Sequence, residues 1–463
     1  MDQKRIQPHH QFQHLGRRYV INIEEMQASA IDDALARTLA RLAASPTEPM
    51  DAPAQAQLAK LGLLTDGESE AAHEERGAPV PVVNAALFLT QSCNLRCVYC
   101  YGDGGSYGTG GDMSQSTAFQ AVDWLIAQSG RMKQIHVGFF GGEPFLRFPL
   151  MRAVVAYARR RAQAAGKEVD FNATTNGTLL NDEKVAFIDE NKMAVMLSFD
   201  GPREIQDAQR PFADGKGSYD AIVPGIRKLL AATRKVKGHA VLAGQTDPQA
   251  VRDALREIGL TEVSLIPASA SLFAGRAGAA APQRDIAAVL KLLEEEARTW
   301  VRRIQERDSE SLRALKSKSQ LWSGMVGLLH NEKRLHACGA GLGMVGVSCA
   351  GDVYLCHRFV GVAQYRLGSV FHQELDRAKY GESPVTLIAA CAACFARYYC
   401  AGGCKHDNAG SCGSAFAPAQ DMCRLRRREL ELAAAVAGGL DPADRAFLEE
   451  RDIVPPKPCP LDF

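Results

Sequence analysis

No apolar run in the chain approaches the roughly 18 residues that a membrane-spanning helix needs, so no transmembrane segment is expected. Charge of one sign is also lacking. The 54 basic and 53 acidic side chains leave a net charge of +1, which gives no electrostatic case for nucleic acid or an anionic membrane as partner. An export signal is not legible. The opening stretch MDQKRIQPHHQFQHLG is basic but has no apolar stretch behind it, and a cytoplasmic protein is expected. No internal repeat is visible. Apolar content of 46% and charged content of 23% are ordinary for globular chains, which excludes a disordered protein. At about 100–200 residues per domain, 463 residues predict two to four domains. Cysteine is what the chain has in quantity. There are 13, an odd number, and ten of them lie between Cys338 and Cys459. In a reducing compartment such clusters read as metal ligands or redox groups, since disulfides are rare there.

Residues 1–80 read as a small separate unit. His14–Arg18 is a predicted turn that leads into the β-branched run Tyr19–Ile23. Helical periodicity is expected over 28–43, with Leu35, Leu39 and Leu42 on one face, and a second helix over 52–62. The polar stretch 65–79 is an expected linker. Over 81–280, apolar β-type runs at 84–90, 135–140, 169–174, 194–199, 236–242 and 261–266 alternate with helical patterns at 114–129, 148–164, 181–191, 218–234 and 247–258. This rhythm predicts an α/β fold with a parallel sheet and helical crossovers. Six strands are too few for a full eight-stranded barrel. A helical bridge is expected over 281–335. The last part, 336–463, is rich in cysteine and glycine and short of apolar runs, so it is expected to fold around metal. A closing helix over 421–437 carries Arg424–Arg428, which reads as a solvated face.

The first cysteine group follows the first of the alternating strands. In Thr90-Gln91-Ser92-Cys93-Asn94-Leu95-Arg96-Cys97-Val98-Tyr99-Cys100, three thiols share one loop at the spacing Cys-x3-Cys-x2-Cys. Three thiolates can hold a four-iron, four-sulfur cluster with one iron left open. An open position marks a catalytic metal, whereas a structural zinc completed by a remote residue is the alternative. With Tyr99 directly before the last cysteine, the loop resembles the radical SAM superfamily. That resemblance implies a partial (β/α)6 TIM-type barrel, S-adenosylmethionine as cofactor, and reductive cleavage to a 5′-deoxyadenosyl radical. It also gives roles to later turns at predicted strand ends. Gly141-Gly142-Glu143-Pro144 would bind the methionine amino group. Thr175, Asn176, Ser198 and Asp200 would contact ribose and carboxylate, as would Tyr99 near the cluster. Arg210 is a further candidate for the methionine carboxylate.

The second group begins with Cys338, twelve residues, Gly351, four residues and Cys356. It continues as Cys391-x2-Cys394-x5-Cys400-x3-Cys404, eighteen residues and Cys423. This spacing resembles the SPASM domain, with two zinc ribbons as the alternative. The resemblance implies two auxiliary four-iron clusters, and so three clusters in all. One would take Cys391, Cys394, Cys400 and Cys423. The other would take Cys338, Cys356 and Cys404, with a fourth ligand left open between Cys349, Cys412 and a substrate thiolate. Cys349 and Cys412 equally suit small buried side chains, and Cys459 reads as a bystander.

Auxiliary clusters can accept the electron of a substrate radical, which fits oxidative cross-linking of a ribosomally made peptide or protein subunit. The strand and helices of residues 1–80 resemble the winged-helix-like recognition domain of peptide maturases, where a leader peptide can add to a sheet edge. Expected partners are therefore a precursor peptide with a leader and a low-potential donor such as flavodoxin or ferredoxin. A sulfatase-maturing formylglycine enzyme is the alternative within the class. There an aspartate typically follows the cysteine at the Cys356 position. This chain has His357, which could serve as base. A different class, an iron–sulfur electron carrier or redox sensor, would explain the cysteines but not Gly141–Pro144.

Overall fold

A computed structural model describes residues 5–45, 50–65, 80–244, 246–273, 284–316 and 319–456. The expected linker and Cys459 fall outside the described residues, apart from Thr65 at the linker's start. No described helix is long and apolar enough to cross a membrane.

Six strands run parallel in chain order: Asn84–Thr90, Gln134–Gly141, Glu168–Thr175, Ala194–Ser198, Val236–Leu242 and Val263–Pro267. Helices Gln115–Gln128, Phe148–Ala164, Asp182–Glu190, Tyr219–Ala232 and Pro248–Glu257 make the crossovers. Period-two alternation sorts the strand side chains. Ala85, Leu87, Val137, Phe139, Phe171, Ala173, Val195 and Leu197 are buried in the apolar core. The alternate positions Asn84, Ala86, Gly138, Phe140, Asn172, Thr174, Met196, Ser198, His239 and Val241 line a chamber of about 490 Å³. A full barrel fills its interior with layers of branched side chains. Here small and polar residues leave it hollow.

The cysteine-rich part is more closely joined to the barrel than its composition predicts. Its strand Met344–Val347 pairs parallel with the first barrel strand, from Met344 opposite Asn84 to Val347 opposite Leu87. Two antiparallel strands, Asp352–Tyr354 and Arg366–Ser369, then complete one nine-stranded sheet. Composition hid this, because a short strand borrows its core from the sheet it joins. The bridge resolves into helices Ile286–Gln305, Ser309–Lys316 and Trp322–Leu329. Buried Arg252 and Glu296 pair at 3.4 Å and tie the bridge to the last barrel crossover helix.

The amino-terminal unit is a three-stranded antiparallel sheet (His9–His14, Arg17–Asn22, Gln27–Ile31) followed by helices Asp33–Ala44 and Ala52–Lys60. The helix expected over 28–43 therefore begins five residues later. Gln27–Ile31 is strand, and Asp32 caps the helix by accepting from Leu35 N at 2.7 Å. The central strand is buried on both faces. Val20 packs with Leu35, Leu39, Leu42 and Leu58, while Ile21 joins the main core. The second face lies on the long helix Gln420–Gly438. Gly438 permits the contact, since a Cβ there would lie 2.9 Å from the Ala28 carbonyl carbon. The Arg424–Arg428 run on that helix is largely the expected solvated face, with Arg424, Arg426 and Arg427 exposed and Arg428 half-buried. Arg426 and Arg427 line the cysteine cavity described below, and Arg428 pairs with Glu294 and Glu431. The cations are drawn to thiols and carboxylates that the linear sequence does not place beside them.

Candidate active site

The loop after the first barrel strand is clamped by the segment that follows helix Arg203–Gln209. Arg96 N donates to Pro211 O at 2.8 Å and Val98 N to Gln209 O at 2.9 Å. The clamp turns Cys93, Cys97 and Cys100 into the chamber wall. Burial pushes the Cys93 thiol up to about 11 and Cys97 up to about 12. A bound metal reverses this by deprotonating its thiol ligands. Donors already face the sulfurs: Asn176 Nδ2 lies 3.7 Å from Cys93 Sγ, and Arg210 Nη1 lies 4.0 Å from Cys97 Sγ. Thiolates on a tetrahedral zinc stand about 3.8 Å apart. Among the described residues no three His, Cys, Asp or Glu side chains close on one ion in that way. Three thiols on one loop are the donor set of a multi-iron cluster with one iron left open.

The Gly-Gly-Glu-Pro turn packs directly on this loop. Gly142 N donates to Thr90 O at 3.0 Å and Glu143 N to Ser92 O at 2.9 Å. A Cβ on Gly141 would sit 2.1 Å from Thr90 O, and one on Gly142 would sit 2.0 Å from Ser92 O. Gly141 also has φ +131, so both glycines are required by geometry. The Glu143 carboxylate is fully buried, and burial raises it to about 7 against the lowering effect of its donors. Those donors are Thr175 Oγ1 and Asn176 N, both at 2.8 Å, and Phe145 N at 3.1 Å. Pro144 opens the following turn of helix. Thr175 and Asn176 thus orient the carboxylate, and Asn176 also reaches the cysteine loop through Asn94 at 2.9 Å.

Asp200 and Arg210 are engaged with each other. The Arg210 guanidinium lies 3.0 and 3.2 Å from the Asp200 carboxylate, both groups are buried, and the Tyr99 hydroxyl donates to the same carboxylate. Arg210 also stacks over the Tyr99 ring at 5.2 Å. This network braces the cysteine loop from the fourth strand. Ser198 lines the chamber beside it. Two histidines face the same space. His357 packs against Phe140 at 4.6 Å, and burial lowers it to about 3. His239, on the fifth strand, is lowered to about 4, first by burial and then by Arg210. Sequence reading passed over His239, although its in-phase position with Val241 on a lumen-facing strand was the available signal.

A second cavity of about 430 Å³ is lined by Cys338, Cys391, Cys394, Cys400, Cys404 and Cys423. Cys391, Cys394, Cys400 and Cys423 lie within electrostatic reach of one another, whereas Cys356 feels Cys404 and Cys338. Cys349 sits elsewhere. Its thiol donates to Phe88 O at 3.1 Å and Gly111 O at 3.3 Å, at the barrel loops. Cys412 lies beside Cys423. Substituting Cys349 with alanine is therefore expected to leave the iron content of reconstituted protein unchanged, as an iron assay would read.

A parallel partial barrel with thiols and a buried carboxylate at its carboxyl-terminal mouth defines an α/β-barrel enzyme with a cofactor chamber at its strand ends. The profile described as "Radical SAM superfamily" matches residues 87–258. Over that segment, which is less than half of the chain, the protein is similar to radical SAM enzymes. It is 27% identical over 347 residues to a serine-type anaerobic sulfatase-maturating enzyme of Bacteroides thetaiotaomicron, covering 68% of this chain and 80% of that protein. It is 31% identical over 160 residues to the mycofactocin maturase MftC of Mycolicibacterium smegmatis, covering 34% and 36%. The chain spans less than half the length of several curated relatives it matches. Its fold resembles native anSMEcpe with bound AdoMet and Cp18Cys peptide, with TM-score 0.62, 19% identity, and coverage of 78% of this chain and 100% of that one.

Proposed function

We propose that the enzyme oxidatively modifies a ribosomally made peptide or protein subunit, forming a thioether or related side-chain cross-link. The observation that carries this reading is the chamber itself. Its wall combines the Cys93–Cys97–Cys100 loop with His357 and Arg358 from the cysteine-rich part. Radical generation and a second redox centre would thus act on one enclosed space.

In this reading Cys93, Cys97 and Cys100 would hold a four-iron cluster, which would supply the electron for reductive cleavage of S-adenosylmethionine. Glu143 would hold the methionine ammonium, oriented by Thr175 and Asn176. Ser198, beside the Asp200–Arg210 brace, would face the ribose side. His357 would face the substrate from the chamber wall. Cys391, Cys394, Cys400 and Cys423 would hold one auxiliary cluster. Cys338, Cys356 and Cys404 would hold the other, with its fourth position open to a substrate thiolate. The amino-terminal sheet supports a peptide substrate, because its edge strands His9–His14 and Gln27–Ile31 are of the kind a leader peptide extends. A flavodoxin or ferredoxin would supply electrons.

The test is anaerobic reconstitution with S-adenosylmethionine and dithionite, followed by co-incubation with a cysteine-bearing precursor encoded beside the gene. The expected result is 5′-deoxyadenosine and a peptide lighter by two hydrogens per link. Without 5′-deoxyadenosine the electron-carrier reading would stand instead. The extent of the Bacteroides match favours formylglycine formation as the second reading. Its product is an aldehyde that a hydrazide probe captures, which a cross-link does not give. Glu143→Gln is expected to weaken S-adenosylmethionine binding about 10- to 100-fold, the scale of one lost hydrogen bond to a charged group. Equilibrium dialysis of the reconstituted protein would measure it.

A further inference from the structure

Arg358 stands between the two cavities. It lines the barrel chamber, and its Nη1 lies 3.3 Å from the Sγ of Cys404, which lines the second cavity. The guanidinium is fixed from several sides. Nη2 donates to Ser269 Oγ, and the Tyr101 ring stacks on the cation at 4.8 Å. Asp407 is its nearest carboxylate, at 3.6 Å, and is shared with Arg284 at 3.5 Å. An arginine buried only to form an ion pair would take the carboxylate in bidentate fashion at about 2.7–2.9 Å. Here the carboxylate is held off, and the short contacts go to a hydroxyl and a sulfur.

We propose that Arg358 is a positioning residue that tunes the redox group held by Cys404, raising its reduction potential so that it can accept the electron lost by the substrate. The inference rests on the functional reading above, in which Cys338, Cys356 and Cys404 hold an auxiliary cluster. Hydrogen bonds to cluster sulfurs are among the factors that set potential, since they stabilise the more negative, reduced state. The step balances. The substrate C–H bond is lost as a hydrogen atom to the adenosyl carbon. The carbon radical would then give one electron to the group at Cys404, and the S–H proton would leave to solvent as the C–S bond closes. The substrate is oxidised by two electrons overall. The flavodoxin- or ferredoxin-type donor, oxidised in cleaving S-adenosylmethionine, takes the single electron back.

Potentiometric titration followed by electron paramagnetic resonance tests this on the reconstituted full chain. Arg358→Gln is expected to make reduction of one auxiliary couple about tenfold less favourable, about 59 mV for one electron, with Arg358→Lys recovering part of the shift. The signal of the cluster that responds to S-adenosylmethionine is the internal reference. If Arg358→Gln loses iron or fails to fold, Ser269→Ala, which removes the Nη2 anchor, is expected to shift the same couple in the same direction. An unmoved potential in a protein with about twelve irons per chain overturns the inference alone. Wild-type protein that takes up only about four irons overturns the three-cluster reading and this inference with it.

Discussion

Replacing Cys93, Cys97 and Cys100 together with alanine is expected to abolish 5′-deoxyadenosine formation, a fall of at least about a thousandfold, which corresponds to roughly 4 kcal/mol or more in the barrier. The loss follows from the donor set and not from unfolding. The loop is held by backbone bonds, Arg96 N to Pro211 O and Val98 N to Gln209 O, which alanine leaves intact. The buried thiols contribute little to stability unless metal is bound, since burial keeps Cys93 and Cys97 protonated near neutral pH. Without them the electron has no route to S-adenosylmethionine, and no other part of the chamber supplies three thiols in this geometry. Six other cysteines line a separate cavity, so iron should fall from about twelve to about eight per chain and no further. Chromatographic detection of 5′-deoxyadenosine, an iron assay and circular dichroism would read the three effects. Activity retained above a tenth of wild type would show that these cysteines are not the radical site.

The barrel was legible because each of its signals is local. Apolar runs with β-branched residues bounded by helical periodicity located all six parallel strands to within a few residues. The turn motifs were legible for the same reason, as Gly141–Pro144 must turn where it does. Two things were not, and both depend on pairing with a strand outside the segment itself. The strand Met344–Val347 is four residues long and only gains meaning beside Asn84–Thr90. Gln27–Ile31 carries alanine and serine that suit a helix, and only its pairing with Arg17–Asn22 makes it a strand. Within the site, thiols and turns were found by spacing. The mutual pairing of Asp200 with Arg210 was not, since two residues that each suit a ligand can equally neutralise each other.

That pairing makes Asp200→Ala the variant with the largest expected effect on stability, a loss of about 3–5 kcal/mol. Asp200 is fully buried, collects three hydrogen-bond donors (the Tyr99 hydroxyl, Arg210 Nη2 and Val241 N at 3.0 Å) and has Arg210 Nε at 3.0 Å as an ion-pair contact. Its removal leaves a buried guanidinium facing an aromatic ring and a thiol, with no counter-charge in contact. Arginine cannot relieve this by losing its proton. Arg210→Met is expected to cost less, because the carboxylate it leaves behind keeps two donors and can protonate. The double variant Asp200→Ala, Arg210→Met should be more stable than Asp200→Ala alone, since the stranded charge is gone, with a coupling of about 2 kcal/mol between the sites. Urea unfolding of the four proteins under identical cluster loading would measure this. Because Arg210 also reaches Cys97, Asp200→Ala should lose its radical-site iron more readily than the double variant. If instead Asp200→Ala unfolds within about 0.5 kcal/mol of wild type but binds S-adenosylmethionine weakly, the carboxylate serves the cofactor directly and the brace is incidental. The two roles are separable because one appears without any ligand and the other only when it is bound.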